Sequence, residues 1–209
     1  MSDVSIGSSS IASEDSEPPS TETPKPRSFL RRLARNLERA LALTGLSIIV
    51  YHSCLHSSRV VSPSMQPTLQ GTNYDDGDRI LTEKLSYLFR EPQRWEVIAF
   101  RRDSGEINMK RVAAFPGETI SMKLDGTVVI DGRPVPLPES LSHLQYFPIA
   151  KLYPGREVKC EDGYFVLGDD SRDSDDSRYE ELVRPERVIG RAWLIVSPTN
   201  RLGFVNSSY

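Results

Sequence analysis

The hydrophobic pattern changes twice along the chain and divides it into three segments. Residues 1–28 carry few bulky apolar side chains and are rich in Ser, Glu, Pro and Thr, which predicts a disordered tail. From residue 29, leucines recur at three- and four-residue spacing with arginines between them, which predicts a basic amphipathic helix. This helix leads into the uncharged stretch "ALALTGLSIIVY" at residues 40–51. Residues 57–209 then follow a different, strand-like pattern.

The apolar stretch is shorter than the roughly 20 residues that cross a bilayer, so its length also suits a core helix. Two features favour a membrane. Five arginines between residues 27 and 39 face one glutamate, a bias that holds an N-terminus in the cytoplasm, and the leucines before residue 40 lengthen the span. We therefore predict a single transmembrane anchor within residues 29–56, with everything after it extracytoplasmic. A helix lying in the membrane interface is the alternative, and a cleaved signal peptide fits less well.

Beyond residue 57 the pattern is that of β-strands. Short runs dense in Val, Ile, Phe and Tyr are broken by Gly, Pro and Asp, without a long helical period. The runs are "DRILTEKLSY", "EVIAFRR", "INMKRVAAF", "TISMKLDGTVVIDGRPV", "GYFVLGD" and "VIGRAWLIVSP". Asp125-Gly126 and Asp131-Gly132 are favoured hairpin dipeptides, so residues 127–130 are predicted as a strand between tight turns. The pattern predicts one mostly β, antiparallel domain over residues 57–209.

Composition narrows the range of functions. With 209 residues, 38% of them hydrophobic, the chain can hold one core-forming domain of ordinary size. Its 26 Lys and Arg are balanced by 29 Asp and Glu, so it lacks the concentrated basic surface that nucleic-acid binding needs. Cys54 and Cys160 lie in no metal-binding or disulfide pattern, which leaves their pairing open. We expect no nucleic-acid partner.

Candidate chemistry begins at "SPSMQPTL", residues 62–69. Its prolines exclude a helix interior or a central strand, and its apolar side chains are unusual for a surface loop. Ser64 can be a nucleophile held on a rigid turn, or an ordinary turn serine beside a proline. The octapeptide alone leaves both interpretations open.

A nucleophilic serine needs a base. His52 and His56 flank the apolar stretch and His143 lies in a Pro- and Leu-rich excursion, so a Ser-His-Asp triad is not predicted. A desolvated lysine is another possible base, because burial disfavours its charged form and lowers its pKa. Lys110, in the apolar run "INMKRVAAF", is the candidate. The structural alternative is a lysine that protects an edge strand.

Four segments together resemble the boxes of the type I signal peptidase family, the Ser-Lys proteases of the bacterial leader peptidase type. They are "SPSMQPTL", "GDRILTEKLSY", "KRVAAFPGE" and "GDDSRDSDDSRYEELV". They occur in the family's order and span nearly everything from residue 62 to residue 192, so they are jointly specific. The resemblance implies a mostly β, antiparallel catalytic domain preceded by a membrane-anchor helix.

The resemblance also implies roles for individual residues. Ser64 is the nucleophile and Lys110 the general base, while the Ser62 hydroxyl and the Ser64 N–H form the oxyanion hole. Ser174 aligns with the serine that orients the lysine, and Met65 with a residue that lines the small substrate pockets. A supporting ion-pair cluster is implied at Arg111, Asp176 and Arg178.

The fourth box departs from the family pattern. Asp170 stands where asparagine is usual, and a carboxylate too close to the base would raise the pKa of Lys110 and oppose its role. Outside the fourth box, Trp95 stands where the family commonly has glycine. The acids of "DDSRDSDD" suggest a calcium loop, but the glycine and glutamate of an EF-hand are missing whether one counts from Asp169 or from Asp170. No metal site is predicted.

The resulting interpretation is signal peptidase I, a membrane-bound serine endopeptidase that removes N-terminal signal peptides from exported preproteins without a cofactor. Its expected partners are preprotein signal peptides and membrane lipid. Two alternatives stay open. A self-cleaving LexA-like protease shares the Ser-Lys chemistry but needs a DNA-binding domain, and a catalytically inactive, membrane-tethered homologue would bind peptides without cutting them.

Overall fold

A long helix precedes the strands. The computed structural model describes the backbone of residues 26–205 and the side chains from residue 29. Helix α1 runs from Pro26 to Cys54, so it begins within the predicted tail, the rest of which lies outside the described residues. The chain divides into two compact units after Leu46. The predicted basic amphipathic helix is thus present, and it continues through the apolar stretch.

The surface of α1 carries exposed apolar side chains. Leu30, Leu33, Leu37 and Leu41 each leave between 54% and 64% of their surface accessible. Within residues 26–205, however, no helix combines the length and the hydropathy that crossing a bilayer requires. The predicted transmembrane anchor is therefore not confirmed.

Eleven short strands follow the helix within the described residues. They are β1 (Leu55–Arg59), β2 (Arg79–Glu83), β3 (Val97–Arg101), β4 (Ile107–Ala114), β5 (Thr119–Met122), β6 (Val128–Ile130), β7 (Arg133–Val135), β8 (Glu157–Lys159), β9 (Phe165–Leu167), β10 (Val188–Ser197) and β11 (Gly203–Phe204).

The strands form two antiparallel sheets. The larger has the order β1-β2-β10-β3-β4-β9, with β11 paired to β10, and the smaller has the order β7-β6-β5-β8. All nine pairings between these strands are antiparallel. The predicted mostly β, antiparallel fold class is confirmed.

One hydrophobic core joins the two sheets. It combines Phe165 and Leu167 of the larger sheet with Ile120 and Ile130 of the smaller one, and all four are buried. Side chains from both sheets lose their contact with water in this cluster, and that burial stabilises the sheets against each other.

A second cluster lies under the "SPSMQPTL" turn. Met65 and Leu69 of the turn pack with Ile80 of β2 and Val97 of β3, and each is at most 2% exposed. The turn is therefore anchored by its apolar side chains. This packing explains why a proline-rich segment carries a methionine and a leucine.

Local sequence signals predicted most strands but not all. Each predicted run contains a strand, and residues 128–130 lie between the two predicted tight turns. Strands β1, β8 and β11 were not predicted. The sequence of β1, "LHSSR", lacks an apolar alternation, and it is extended because it pairs along its whole length with β2.

The two hairpin glycines provide a matched stability test. Gly126 and Gly132 both have positive φ, +86° and +77°. A Cβ on Gly126 would lie 2.1 Å from the Tyr146 carbonyl oxygen, whereas nothing lies within 4 Å of a Cβ on Gly132. We expect Gly132→Ala to cost about 1–2 kcal/mol for its left-handed backbone, and Gly126→Ala to cost ~1–3 kcal/mol more for overpacking. Urea unfolding measures both, and equal losses would contradict the crowding at Gly126.

Candidate active site

Ser64 lies in the middle of a one-turn 3-10 helix, Pro63–Met65. Pro63 starts the turn, where its fixed φ is suitable and its missing N–H is not needed. The Gln66 N–H closes the turn by donating to the Pro63 carbonyl at 2.8 Å. The Ser64 carbonyl accepts a hydrogen bond from the Asp170 N–H at 3.1 Å. The first and fourth boxes are thus joined at the candidate nucleophile.

Lys110 lies on β4, which has β3 on one side and β9 on the other. It faces Ile98 across the β3 pairing and is 3% exposed. Because β4 is not at an edge, the interpretation of Lys110 as an edge-strand lysine is wrong. Asn108 lies on the same face of β4 as Lys110, and both residues line an open cleft beside Ser64.

The two side chains meet. Lys110 Nζ lies 2.5 Å from Ser64 Oγ, and both residues are buried. Burial strips water from the ammonium and lowers the pKa of Lys110 to about 8. The carboxylates that oppose this shift are those of Asp176, Asp175 and Asp169, while the charge of Arg102 reinforces it. At pH 7 about a tenth of the amine is therefore uncharged and able to accept a proton, and this fraction rises toward pH 8.

Two further serines flank the pair. Ser62 Oγ lies 3.0 Å from Ser64 Oγ on the exposed side. Ser174 is buried, and within residues 26–205 its oxygen has no hydrogen-bond partner, Lys110 included. A Cβ on Gly168 would lie 2.1 Å from Ser174 Oγ and 2.5 Å from the Ser64 carbonyl, so only glycine permits this approach. The lysine-orienting role of Ser174 stays a prediction.

A buried ion pair fixes the strand that carries Lys110. Arg111 donates from Nε and Nη2 to the two carboxylate oxygens of Asp169, at 2.8 and 2.5 Å, and neither side chain is exposed. Thr68 Oγ1 also donates to Asp169, at 2.5 Å. Burial disfavours the charged guanidinium, but the Asp169 carboxylate outweighs it and raises the pKa of Arg111. The pair connects the first, third and fourth boxes.

The second buried ion pair shapes the fourth box. Arg178 donates to both oxygens of Asp176, at 2.8 and 2.7 Å, and to the Ser171 carbonyl at 3.1 Å. The same carboxylate accepts the Gly168 N–H at 2.9 Å. Asp176 therefore holds the backbone against which Ser174 packs.

The predicted support cluster is thus two separate pairs. Asp176 pairs with Arg178 as expected, but Arg111 pairs with Asp169, which was not among the predicted support residues. The sequence does carry a signal for it. A carboxylate that directly follows the apolar run "YFVLG" is close to the core, and a charge buried there needs a partner.

Trp95 adopts the backbone conformation that explains why glycine is common at its position. Its φ is +66°, in the left-handed region. The indole is buried and stacks on Tyr146 with ring centroids 6.1 Å apart, and its carbonyl accepts a hydrogen bond from Arg111 at 2.6 Å. Packing of the large ring offsets the backbone strain that glycine would avoid.

Two cavities open beside the pair. An open cleft of about 480 Å³ is lined by side chains that include Ser62, Ser64, Arg102, Asn108, Lys110 and Asp175. A cavity of about 40 Å³ lies next to Ser64 and is lined mainly by apolar side chains, among them Met65, Leu69 and Met109. Met65 packs in the core and also borders the small cavity, and its role in a substrate pocket stays a prediction.

The other candidate groups lie outside this arrangement. The Asp170 carboxylate accepts the Arg172 N–H at 3.1 Å, and the charges that act most strongly on Lys110 do not include it. No histidine lines either cavity. Both cysteines are free, and burial raises the pKa of the Cys160 thiol to about 12. Residues 26–205 contain no cluster of three His, Cys, Asp or Glu side chains placed to hold a metal ion.

With this geometry established, comparison with known proteins gives the family. The model of the signal peptidase family, peptidase S26, matches residues 33–197. The chain belongs to this family. The signal peptidase I of Leptolyngbya laminosa is 31% identical over 206 residues, which cover 91% of this chain and 96% of that protein. The signal peptidase I of Mycobacterium tuberculosis is 30% identical over 249 aligned positions, and the alignment covers 92% of this chain and 82% of that protein.

A solved structure completes the comparison. The crystal structure of a signal peptidase I from Enterococcus faecalis has 32% sequence identity, with 49% of this chain and 97% of that chain covered and a TM-score of 0.40. The resemblance to the type I signal peptidase family is confirmed by the family model and the full-length relatives.

The lowered pKa of Lys110 generates a stability prediction for this signal peptidase family member. The folded chain releases the Lys110 proton near pH 8, while the unfolded chain keeps it up to about the ordinary value of 10.5. The unfolded state therefore binds more protons between these limits, and the free energy of unfolding should rise with pH there. Lys110→Met, which buries no amine, should lack this rise.

We expect the free energy of unfolding of Lys110→Met to exceed that of the wild-type chain by the largest amount below pH 8. Urea unfolding at pH 7 and at pH 10.5 measures this difference. Lys123→Met, at an exposed position, is the control and should run parallel to the wild-type chain. A wild-type curve that stays parallel to that of Lys110→Met would show that Lys110 is not held at a lowered pKa.

Proposed function

We propose that the chain is a signal peptidase I that cleaves preproteins with a Ser-Lys dyad made of Ser64 and Lys110. The observation that carries this proposal is the 2.5 Å contact between Ser64 Oγ and a buried Lys110 amine whose pKa is lowered to about 8. Membership of the signal peptidase family supports a serine endopeptidase. The substrate class follows from the relatives, which are signal peptidases.

The mechanism is acyl transfer. Neutral Lys110 accepts the Ser64 proton while the oxygen attacks the scissile carbonyl carbon, and Lys110 then gives that proton to the departing amine as the C–N bond breaks. The mature protein leaves with its new N-terminus. A water molecule next gives a proton to Lys110 and attacks the acyl-enzyme, Ser64 recovers its proton, and the signal peptide is released. No step calls for a cofactor.

The serines around the dyad have supporting roles in this proposal. We expect the Ser62 hydroxyl, 3.0 Å from Ser64 Oγ, and the Ser64 N–H to donate to the oxyanion of the tetrahedral intermediate. Ser174 is buried behind Gly168, beside the backbone of Ser64, with its oxygen unpaired within the described residues. A short rotation or shift of this loop on substrate binding would let Ser174 orient the Lys110 amine.

The small cavity supports a preference for short side chains. Its volume of about 40 Å³ has room for little more than a methyl group, and its wall combines apolar residues such as Met65 and Met109 with polar ones such as Asn108. We assign it to a side chain of the signal peptide close to the cleaved bond. An alanine or glycine there fits the space, whereas a larger residue does not.

The alternatives lack such support. An inactive peptide-binding homologue would not need a lysine desolvated against a serine, an arrangement that costs stability. A self-cleaving LexA-like protease is not favoured, because the relatives that match most of the chain are signal peptidases.

We also propose that α1 attaches the enzyme to a membrane. Its exposed leucines and its arginines suit a lipid surface with anionic headgroups. The arginines precede the apolar stretch, which favours a cytoplasmic N-terminus and an extracytoplasmic catalytic domain. Retention after a carbonate wash would indicate an embedded helix, and loss an interfacial one.

Removing either member of the dyad should abolish cleavage. Lys110→Arg keeps a positive charge, but arginine does not deprotonate in proteins, so it cannot act as the base. Lys110→Met keeps an apolar stem without the amine, and Ser64→Ala removes the nucleophile. We expect each variant to lose nearly the whole rate, because residues that act as one unit fail together. Preprotein cleavage with N-terminal sequencing of the product measures this.

The controls for this experiment are Lys123→Arg and thermal melting of all variants. Lys123 is exposed and outside both cavities, so its substitution should leave cleavage unchanged. Substantial cleavage by Lys110→Arg, in a protein that melts like the wild-type chain, would mean that the base lies elsewhere.

Protease protection tests the proposed attachment and orientation. In intact spheroplasts, added protease should digest the catalytic domain of the membrane-bound enzyme while a cytoplasmic marker protein stays intact. A C-terminal tag that remains protected until the cells are lysed would contradict the orientation, and an enzyme absent from the membrane fraction would contradict the attachment.

A further inference from the structure

Arg102 follows β3 directly and lies in the turn that leads to β4, eight positions before Lys110. Its side chain lines the open cleft together with Ser64 and Lys110. The neighbouring Arg101 is exposed, donates to the Gly105 carbonyl at 3.0 Å, and does not line that cleft. Two adjacent arginines of equal charge thus differ in whether they face the dyad.

An ion pair holds Arg102 at the wall of the cleft. Its Nη2 donates to the Glu180 carboxylate, and each side chain is about one-third exposed, at 31% and 32%. Glu180 is itself held, since its N–H donates to the Asp176 carbonyl at 2.9 Å. The ion pair therefore holds the guanidinium between the β3–β4 turn and the fourth box, with both side chains partly exposed.

The charges that face the Lys110 amine are otherwise mostly negative. Asp169, Asp175 and Asp176 come from the fourth box, and Glu106 and Asp173 also line the cleft. Asp169 and Asp176 are each paired with a buried arginine, which reduces their effect, but the other three carboxylates lie on exposed residues. Left unbalanced, these carboxylates would favour a protonated amine.

We propose that Arg102 is a positioning residue of this active site, whose fixed guanidinium offsets the surrounding carboxylates and keeps the Lys110 amine in its neutral, proton-accepting form. The inference rests on the proposed function, in which Lys110 is the general base. The direction of the Arg102 effect on the pKa of Lys110, downward, agrees with this role. Glu180 contributes by fixing the guanidinium, and Gln at position 102 could still bond to Glu180 while carrying no charge.

Titration of Lys110 tests the proposal without a substrate. In the full chain labelled with ¹³C-lysine, the Lys110 signal is assigned by its loss in Lys110→Met, and its NMR shift is followed against pH. We expect Arg102→Gln to raise the titration midpoint by about half a pH unit. Arg102→Lys should restore most of the wild-type midpoint, and Arg101→Gln, which removes the same charge from the neighbouring position, should leave it within the error of the measurement.

Cleavage kinetics give the second readout. The acidic limb of the pH profile of kcat/KM should move to higher pH in Arg102→Gln by the same amount, with the plateau at high pH preserved, which a purely structural role would not produce. An unshifted NMR midpoint in Arg102→Gln, or an equal shift in Arg101→Gln, would overturn the role of Arg102. Failure of the wild-type chain to cleave preproteins would overturn the proposed function instead, since the NMR titration does not depend on cleavage.

Discussion

The buried ion pair between Arg111 and Asp169 is the interaction on which the site depends. Two charges removed from water are stable only when hydrogen bonds replace their hydration, and here both carboxylate oxygens and three guanidinium nitrogens are bonded. Thr68 adds the turn of the nucleophile to the same carboxylate. Removing either side chain would leave the other charge buried without its counter-charge, so this one ion pair holds together segments that are distant in the sequence.

The position of Arg111 also explains how the Lys110 amine is placed. Arg111 follows Lys110 on β4, so the two side chains point to opposite faces of the sheet. Fixing the guanidinium on one face fixes the backbone, and the amine on the other face is directed at Ser64 Oγ. The amine is buried against Ser64, and the loss of water around it lowers its pKa to about 8. Structure and reactivity thus have the same origin, the burial of β4.

Close approach of backbone segments completes the arrangement. Gly168 brings the fourth box so near the nucleophile turn that a single methyl group would overlap both Ser174 and the Ser64 carbonyl. The site then divides the surroundings of Ser64 into two unlike spaces. One is a narrow, partly apolar cavity beside Met65, and the other is an open cleft lined by several charged residues, Arg102 among them.

The sequence by itself determined the strands, turns and motifs, which depend on residues adjacent in the chain. Runs dense in Val, Ile, Phe and Tyr predicted the main strands, Asp-Gly dipeptides predicted two tight turns, and four ordered boxes indicated the family and made Ser64 and Lys110 the candidate nucleophile and base. Only the tertiary structure decided which distant groups meet. It paired Arg111 with Asp169, made β1 a strand through its pairing with β2, and placed Lys110 in the sheet interior. The reason is physical, since backbone preferences act over a few residues, whereas ion pairing and burial depend on three-dimensional proximity.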